Sequence, residues 1–259
     1  MCLILLACDV HPEYRLILAA NRDEFFARPT APADFWSDAP HVLAGRDQKS
    51  GGTWLGITKT GRIAALTNYR NPRSYLKGAP SRGRLASGFL CGSQLAAGYL
   101  DFLRREGEGY NGFNLVFGEP EHLCYFSNRG NLPPSLAPGI HGISNHLLDT
   151  PWPKVTRGKE AMARLVAAGN TVQPEALFAI LADRTLAPDH LLPVTGVGIE
   201  RERLLSPIFI TSPNYGTRSS TIILIDRENR VTFGERTFNG QPEPIQTVTR
   251  HFTIGRSQD

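Results

Sequence analysis

The sequence predicts an α+β fold built on antiparallel sheet, and three observations predict it. Two nearly all-apolar runs, residues 2–8 and 14–21, flank Asp9-Val10-His11-Pro12-Glu13, a turn-rich connection that reads as a hairpin. Blocks of helical periodicity follow, and strand-like runs return near the end of the chain. Hairpins, then helices, then hairpins suit antiparallel sheet with helices packed on it and not βαβ winding.

Each element has its own signal. Further strands are predicted at Thr53–Lys59, Arg62–Asn68, Phe113–Phe117 and His122–Ser127, with Thr60-Gly61 and Gly118-Glu119-Pro120-Glu121 as tight connections. Leu85, Phe89, Leu95, Tyr99, Phe102 and Leu103 recur at helical steps, which predicts one long helix from Ser81 to Arg105. A second helix is expected to start at Pro151-Trp152-Pro153 and bury Val155, Met162, Leu165 and Val166. A third starts at Pro174 and carries Leu177, Ile180 and Leu181. Ala187 to Ser206 reads as loop, and strands are expected near Ile208–Thr211, Ser219–Asp226 and Arg230–Phe238.

Composition narrows the class. The 259 residues are 41% hydrophobic and 20% charged, which fits an ordinary globular chain. No linker, repeat or low-complexity block interrupts it, so residues 1–259 are expected to form one domain. No apolar run approaches the ~20 residues of a membrane span. The apolar N-terminus lacks a basic region and is closed by Asp9, so it reads as a strand and not as a signal peptide. Cys2, Cys8, Cys91 and Cys124 form no CxxC pair, which predicts neither a disulfide framework nor a zinc site. A reducing, cytoplasmic location is expected. HExxH, P-loop, GxSxG and GxGxxG patterns are absent, and no metal or resident cofactor is expected.

Net charge is +4, too small to imply nucleic acid. Its distribution says more. Gln48 to Leu100 contains no Asp or Glu but holds Lys49, Lys59, Arg62, Arg70, Arg73, Lys77, Arg82 and Arg84. This is either a solvated face or a basic mouth for a small acidic ligand, with Arg70 and Arg82 as its binding groups and Trp54 as a pocket wall.

Hairpin geometry gives the sharpest deduction. A turn centred near His11 or Pro12 places Cys2 opposite Asn21 or Arg22, beside Asp23 and Glu24. If Met1 is removed, Cys2 carries a free amine with a reference pKa of about 7.7–8 beside a thiol of about 8.5. One residue then supplies both base and nucleophile. Asp23 would orient the amine, Arg22 would stabilise thiolate or bind a carboxylate, and Asn21 would lie alongside. The alternative is that Cys2 is simply a small hydrophobe on a strand.

Met1-Cys2 with Asn21-Arg22-Asp23-Glu24 resembles the NRDE family, the group of the transport-and-Golgi-organisation proteins. The resemblance continues through Gly51-Gly52-Thr53-Trp54-Leu55-Gly56, Thr67-Asn68-Tyr69-Arg70, Ser81-Arg82-Gly83, Gly142-Ile143-Ser144-Asn145-His146, Pro151-Trp152-Pro153-Lys154 and Tyr215-Gly216-Thr217-Arg218-Ser219-Ser220. It spans essentially the whole chain. That family is in turn similar to N-terminal-nucleophile hydrolases of the bile-salt hydrolase and penicillin V acylase type. The resemblance implies a four-layer αββα sandwich, a Cys2 nucleophile, Asp23 at the amine, Asn68 and Asn145 at the oxyanion, and Arg218 near the cysteine. One departure stands out. The acylase pattern has an Arg three residues before the Asp, where this chain has Ala20; Arg22 is adjacent to Asp23 instead and points to the opposite strand face. The function implied is hydrolysis of an amide or thioester of a small acidic molecule. The alternative, which the resemblance also allows, is a non-catalytic carrier of haem or acyl-CoA.

Overall fold

The computed structural model describes residues 2–255, with the Cys2 side chain outside the described residues. Cys2–Cys8 (β1) and Tyr14–Phe25 (β2) form an antiparallel hairpin in which Cys2 stands opposite Arg22 and Leu3 opposite Asn21, inside the range the turn predicts. Thr30–Trp36 (β3) and Ala39–Asp47 (β4) follow as a second hairpin that the sequence reading does not contain. Pro32, Asp34 and Asp38 hide it, and the ladder is irregular between Ala31 and Asp34, where a proline is tolerated. Leu55–Thr58 (β5) and Ile63–Asn68 (β6) appear as expected.

The single helix expected over 81–105 is two: Gly83–Cys91 (α1) and Ala96–Glu106 (α2). Gly92-Ser93-Gln94 breaks it, and Leu95, counted in the periodicity, is exposed. Phe113–Glu119 (β7), His122–Ser127 (β8) and a short, unanticipated Gly139–Ile143 (β9) precede Pro153–Ala167 (α3) and Pro174–Leu181 (α4), each with Pro in its first turn. Ile199–Leu204 (α5) lies in the stretch read as loop. Ile208, Phe209 and Ile210 are buried and Thr211 is exposed, and none of the four residues is in a strand. Tyr215–Asp226 (β10), Arg230–Thr237 (β11) and the unanticipated Gln246–Thr253 (β12) complete the elements.

All pairings between these strands are antiparallel and give two six-stranded sheets, ordered β12-β11-β10-β2-β1-β9 and β3-β4-β5-β6-β7-β8. Strand alternation then fixes the layers. Ile4, Leu6, Leu16 and Leu18 face the second sheet and pack on Leu55, Ile57, Ile63 and Val116. Leu3, Leu5, Ile17 and Ala19 face α3 and α4 through Val155, Met162, Leu177 and Leu181. On the outer face of the second sheet, α1 and α2 bury Leu85, Phe89, Tyr99 and Leu103 against Phe113, Leu115 and Phe117. The result is the αββα sandwich, each large buried side chain contributing roughly 1.5–3 kcal/mol of transfer free energy. The ends of β2 and β6, the beginning of β10 and the first residues of α1 meet at one end of the sandwich.

Candidate active site

A cleft of about 140 Å³ opens at that end, lined among others by Arg22, Asp23, Trp54, Asn68, Ser81 and Arg82. The backbone of Cys2 pairs opposite Arg22, which is part of the cleft wall.

Arg22 and Asp23 diverge as strand alternation requires. Arg22 turns toward the second sheet, where Nη1 donates to Thr30 Oγ1 (2.9 Å) and the guanidinium lies 4.1 Å over the Trp54 ring. This corrects the sequence reading: Arg22 is opposite in facing to Asp23 but lies on the same face as Ala20, two residues further along. Trp54 itself is seated by Gly45, where a Cβ would come within 2.4 Å of the ring. The cleft floor depends on a second close approach. Thr53 N–H donates to Gly83 O (3.2 Å), and a Cβ on Gly52 would fall 2.5 Å from the Gly83 backbone. The Gly51-Gly52-Thr53-Trp54 and Ser81-Arg82-Gly83 motifs are thus two halves of one contact.

Asp23 is buried on the helix-facing side. Its Oδ1 accepts from Thr217 Oγ1 (2.8 Å) and its carbonyl from the Tyr215 hydroxyl (3.2 Å). Burial pushes its carboxyl above the usual carboxylate range, opposed by the charges of Lys154 and Arg70 and by the Thr217 hydrogen bond. Lys154, in the first turn of α3, is only 2% exposed. An acid and an ammonium are thus held in the interior close to the Cys2 end of β1.

Asn68 lines the cleft, and Asn145 is fixed behind it. Asn145 Nδ2 donates to the Asn68 carbonyl (2.8 Å), its Oδ1 accepts from Arg70 Nη2 (3.4 Å), and its carbonyl accepts from Arg70 N (2.7 Å). Asn145 thus braces the end of β6 and does not line the cleft. Arg70 is not at a rim. It is buried in an ion pair with Glu202 of α5 and lies 4.8 Å from the Trp152 ring centre, because the chain passes under α5 just beyond β6. Arg82 does line the cleft, with Nη1 donating to Gly112 O (2.9 Å), while Arg84 is exposed. Arg22, Arg28 and Arg82 face Asp23, Glu24 and Asp47, so the lining is charge-balanced where a basic mouth was expected.

Two further expected site residues lie elsewhere. Arg218 occupies a register shift in β10 between Thr217, opposite Asp23, and Ser219, opposite Arg22. That irregularity takes it out of the ladder, and its Nη1 donates to Phe238 O (3.3 Å), away from the cleft. Asn21 faces the helix layer. Its Nδ2 donates to Leu181 O (2.8 Å) and Ile208 O (2.9 Å), which ties α4 to the sheet. Sequence reasoning missed Lys154, Thr217 and Glu202. The first two stand inside quoted motifs, so their signal was available; Glu202 sits in a Pro- and Gly-punctuated stretch and carries none.

The family model described as Transport and Golgi organisation 2 matches residues 1–240. The chain belongs to this family. It is 41% identical over 275 residues to the Transport and Golgi organization protein 2 homolog of Bos taurus, covering 98% of this chain and 99% of that protein. Identity to the Homo sapiens homolog is 39% over 98% of this chain and 99% of that protein. Identity to the Drosophila melanogaster protein is 31%, over 93% of each. Among solved structures it is similar to a cysteine-to-alanine mutant of conjugated bile acid hydrolase from Clostridium perfringens, with TM-score 0.52 and 9% identity over 100% of this chain and 99% of that one. A Caenorhabditis elegans N-acylethanolamine-hydrolyzing acid amidase ortholog matches with TM-score 0.50 and 9% identity over 86% of this chain and 92% of that one. At such identity the likeness shows the fold alone, a sandwich of two antiparallel sheets like that of N-terminal-nucleophile hydrolases. Among the described residues, no helix is long and apolar enough to cross a membrane.

Proposed function

We propose that the chain is an N-terminal-nucleophile hydrolase of amides or thioesters, with Cys2 as nucleophile once Met1 is removed. The observation that carries this reading is the ladder position of Cys2, opposite Arg22 and next to the buried Asp23–Thr217 pair, where the cleft opens. The Cys2 amine takes the thiol proton and the thiolate attacks the acyl carbon. As the new C–S bond forms and the bond to the leaving group breaks, the amine returns the proton to the departing nitrogen or sulfur. Water then cleaves the acyl-enzyme with the amine again acting as base. Asp23 orients and charge-balances the amine, and Asn68 with backbone N–H groups holds the oxyanion. The Arg22 cation beside Trp54 favours thiolate. The substrate is a small molecule whose acidic group docks at Arg82, where the N-terminus of α1 also favours an anion.

The test is Cys2-dependent turnover. Protein with Met1 removed, verified by intact mass, is incubated with acyl thioesters and N-acyl amino acids, and both acyl-enzyme mass and product release are followed. Cys2→Ala should lower turnover by at least about 10³-fold. Stoichiometric binding of acyl-CoA or haem without acylation, equal in wild type and Cys2→Ala, would replace this reading with the carrier one.

A further inference from the structure

Behind the cleft, the Asn145 amide has both of its ends engaged, and the engagement leads away from the cleft to α5. Glu202 is 3% exposed, and both its carboxylate oxygens are used. Oε2 pairs with Arg70, and Oε1 accepts from Thr195 N (3.0 Å) and Thr195 Oγ1 (2.5 Å). Arg70 carries the contact onward to Asn145 Oδ1 and, through its own N–H, to the Asn145 carbonyl. Asn145 Nδ2 then holds the carbonyl of Asn68. The chain Thr195–Glu202–Arg70–Asn145–Asn68 joins residues 127 positions apart by polar contacts inside the protein.

A carboxylate placed here does two things. It compensates the charge of a buried guanidinium, and it holds that guanidinium beside the Trp152 ring. Arg70, together with Ser144 Oγ (3.4 Å), holds the Asn145 oxygen on its side and so turns the amide nitrogen toward the Asn68 carbonyl. The end of β6 is thereby set, and with it the approach of Asn68 to the cleft. Arg70 also places positive charge near Asp23, so the same residue bears on both the oxyanion side and the amine side.

We propose that Glu202 is a positioning residue for the reaction, acting through Arg70 and Asn145 on Asn68. It rests on the hydrolase reading given above. It deepens that reading by making the strap Ala187–Ser206 a part of the site, although no residue of the strap lines the cleft.

The test reads the brace and the chemistry separately. In protein labelled with ¹⁵N-asparagine, the side-chain amide of Asn145 is followed by NMR, with Asn128, which bonds to Gly107 O and Tyr110 O, as internal reference. Glu202→Gln is expected to shift the Asn145 amide and speed its hydrogen exchange about tenfold or more while Asn128 stays put. The same variant is expected to slow acylation of Cys2 by p-nitrophenyl acetate roughly 10- to 100-fold. Alkylation of Cys2 by iodoacetamide needs thiolate but no oxyanion support, and should change by less than about threefold. Thr195→Val keeps the buried charge pair and should give the same pattern at a smaller size, which covers the case in which Glu202→Gln fails to fold. An unmoved Asn145 amide in a folded variant overturns the proposal, as does an equal loss in acylation and alkylation. Wild-type protein that resists acylation while Glu202→Gln still releases Asn145 would remove the hydrolase reading and leave the brace established.

Discussion

The inter-sheet face of the first sheet changes character along its length. At one end, Cys8, Leu16, Ile225 and Val231 stand side by side across β1, β2, β10 and β11, followed by Leu6, Leu18, Ile223 and Phe233. Both rows belong to the inter-sheet core. The next row reads Ile4, Ala20, Thr221 and Glu235, and the last reads Cys2, Arg22, Ser219 and Thr237. The same four strands with the same pleat thus supply a closed apolar core and, two rows later, a buried polar wall. Arg22, Ser219, Thr221 and Glu235 are buried as the apolar residues of the earlier rows are, while Thr237 is half-buried. What differs is whether each side chain needs a specific partner, and that need is what a site is made from.

The apolar rows should carry the stability. Phe233→Ala is expected to destabilise by about 3–5 kcal/mol, since a fully buried ring is replaced by a cavity. Cys2 alkylation by iodoacetamide in the folded fraction should be unchanged. A loss below about 1 kcal/mol in denaturant titration would mean that the core at this end is loosely packed and the comparison misdrawn.

The row between the two ends has a pH signature. Glu235 is buried, with Oε1 accepting from Ala33 N (2.7 Å) and Oε2 from Thr221 Oγ1 (3.1 Å), so it links the two sheets. Burial pushes its carboxyl up to about 7, against those two hydrogen bonds and the charge of Arg22. A carboxyl that keeps its proton to about 7 when folded but loses it near 4.3 when unfolded binds more protons in the folded state across that window. Stability should therefore fall as pH rises through it and level off above. Glu235→Gln removes the titration and keeps the shape. The variant should match wild type at pH 5 and exceed it by about 1–3 kcal/mol at pH 8. Parallel stability curves for the two proteins would show that Glu235 does not titrate in this range.

How much of this was legible follows from the same contrast. The β1–β2 hairpin was readable from its two apolar runs, and its register to within one residue from the turn between them. The β3–β4 hairpin was not, since Pro32, Asp34 and Asp38 look like loop until the neighbouring strands pair with them. The place of Asp23 beside the start of β1 was readable from the hairpin register, whereas its burial against Thr217 of β10 was not. Arg70 was misread as a rim cation because its partner Glu202 lies 132 positions away and nothing local announces the pair. Arg218 was displaced by a single strand irregularity, which no pattern of residue types reports.

The smallest effect tests the last row most directly. Ser219 and Ser220 are adjacent in β10, and each is 2% exposed. Ser220 faces the helix layer and donates to Asn21 Oδ1 (2.6 Å), which helps hold α4 on the sheet. Ser219 faces the other way, opposite Arg22, and its Oγ has no hydrogen-bond partner among the described residues. Replacing a hydroxyl that has a buried partner leaves that partner unsatisfied, so Ser220→Ala should destabilise by about 1–2 kcal/mol. Removing a buried hydroxyl without a partner relieves a desolvation penalty, so Ser219→Ala should be neutral or stabilising by up to about 1 kcal/mol. Opposite signs at neighbouring positions are the expectation, measured by thermal or denaturant unfolding. Equal losses would show that the Ser219 hydroxyl is satisfied in solution. A Ser219→Ala variant that gains stability but loses Cys2 acylation would place this hydroxyl among the groups kept for a ligand, because stability given up at a polar wall is the usual mark of one.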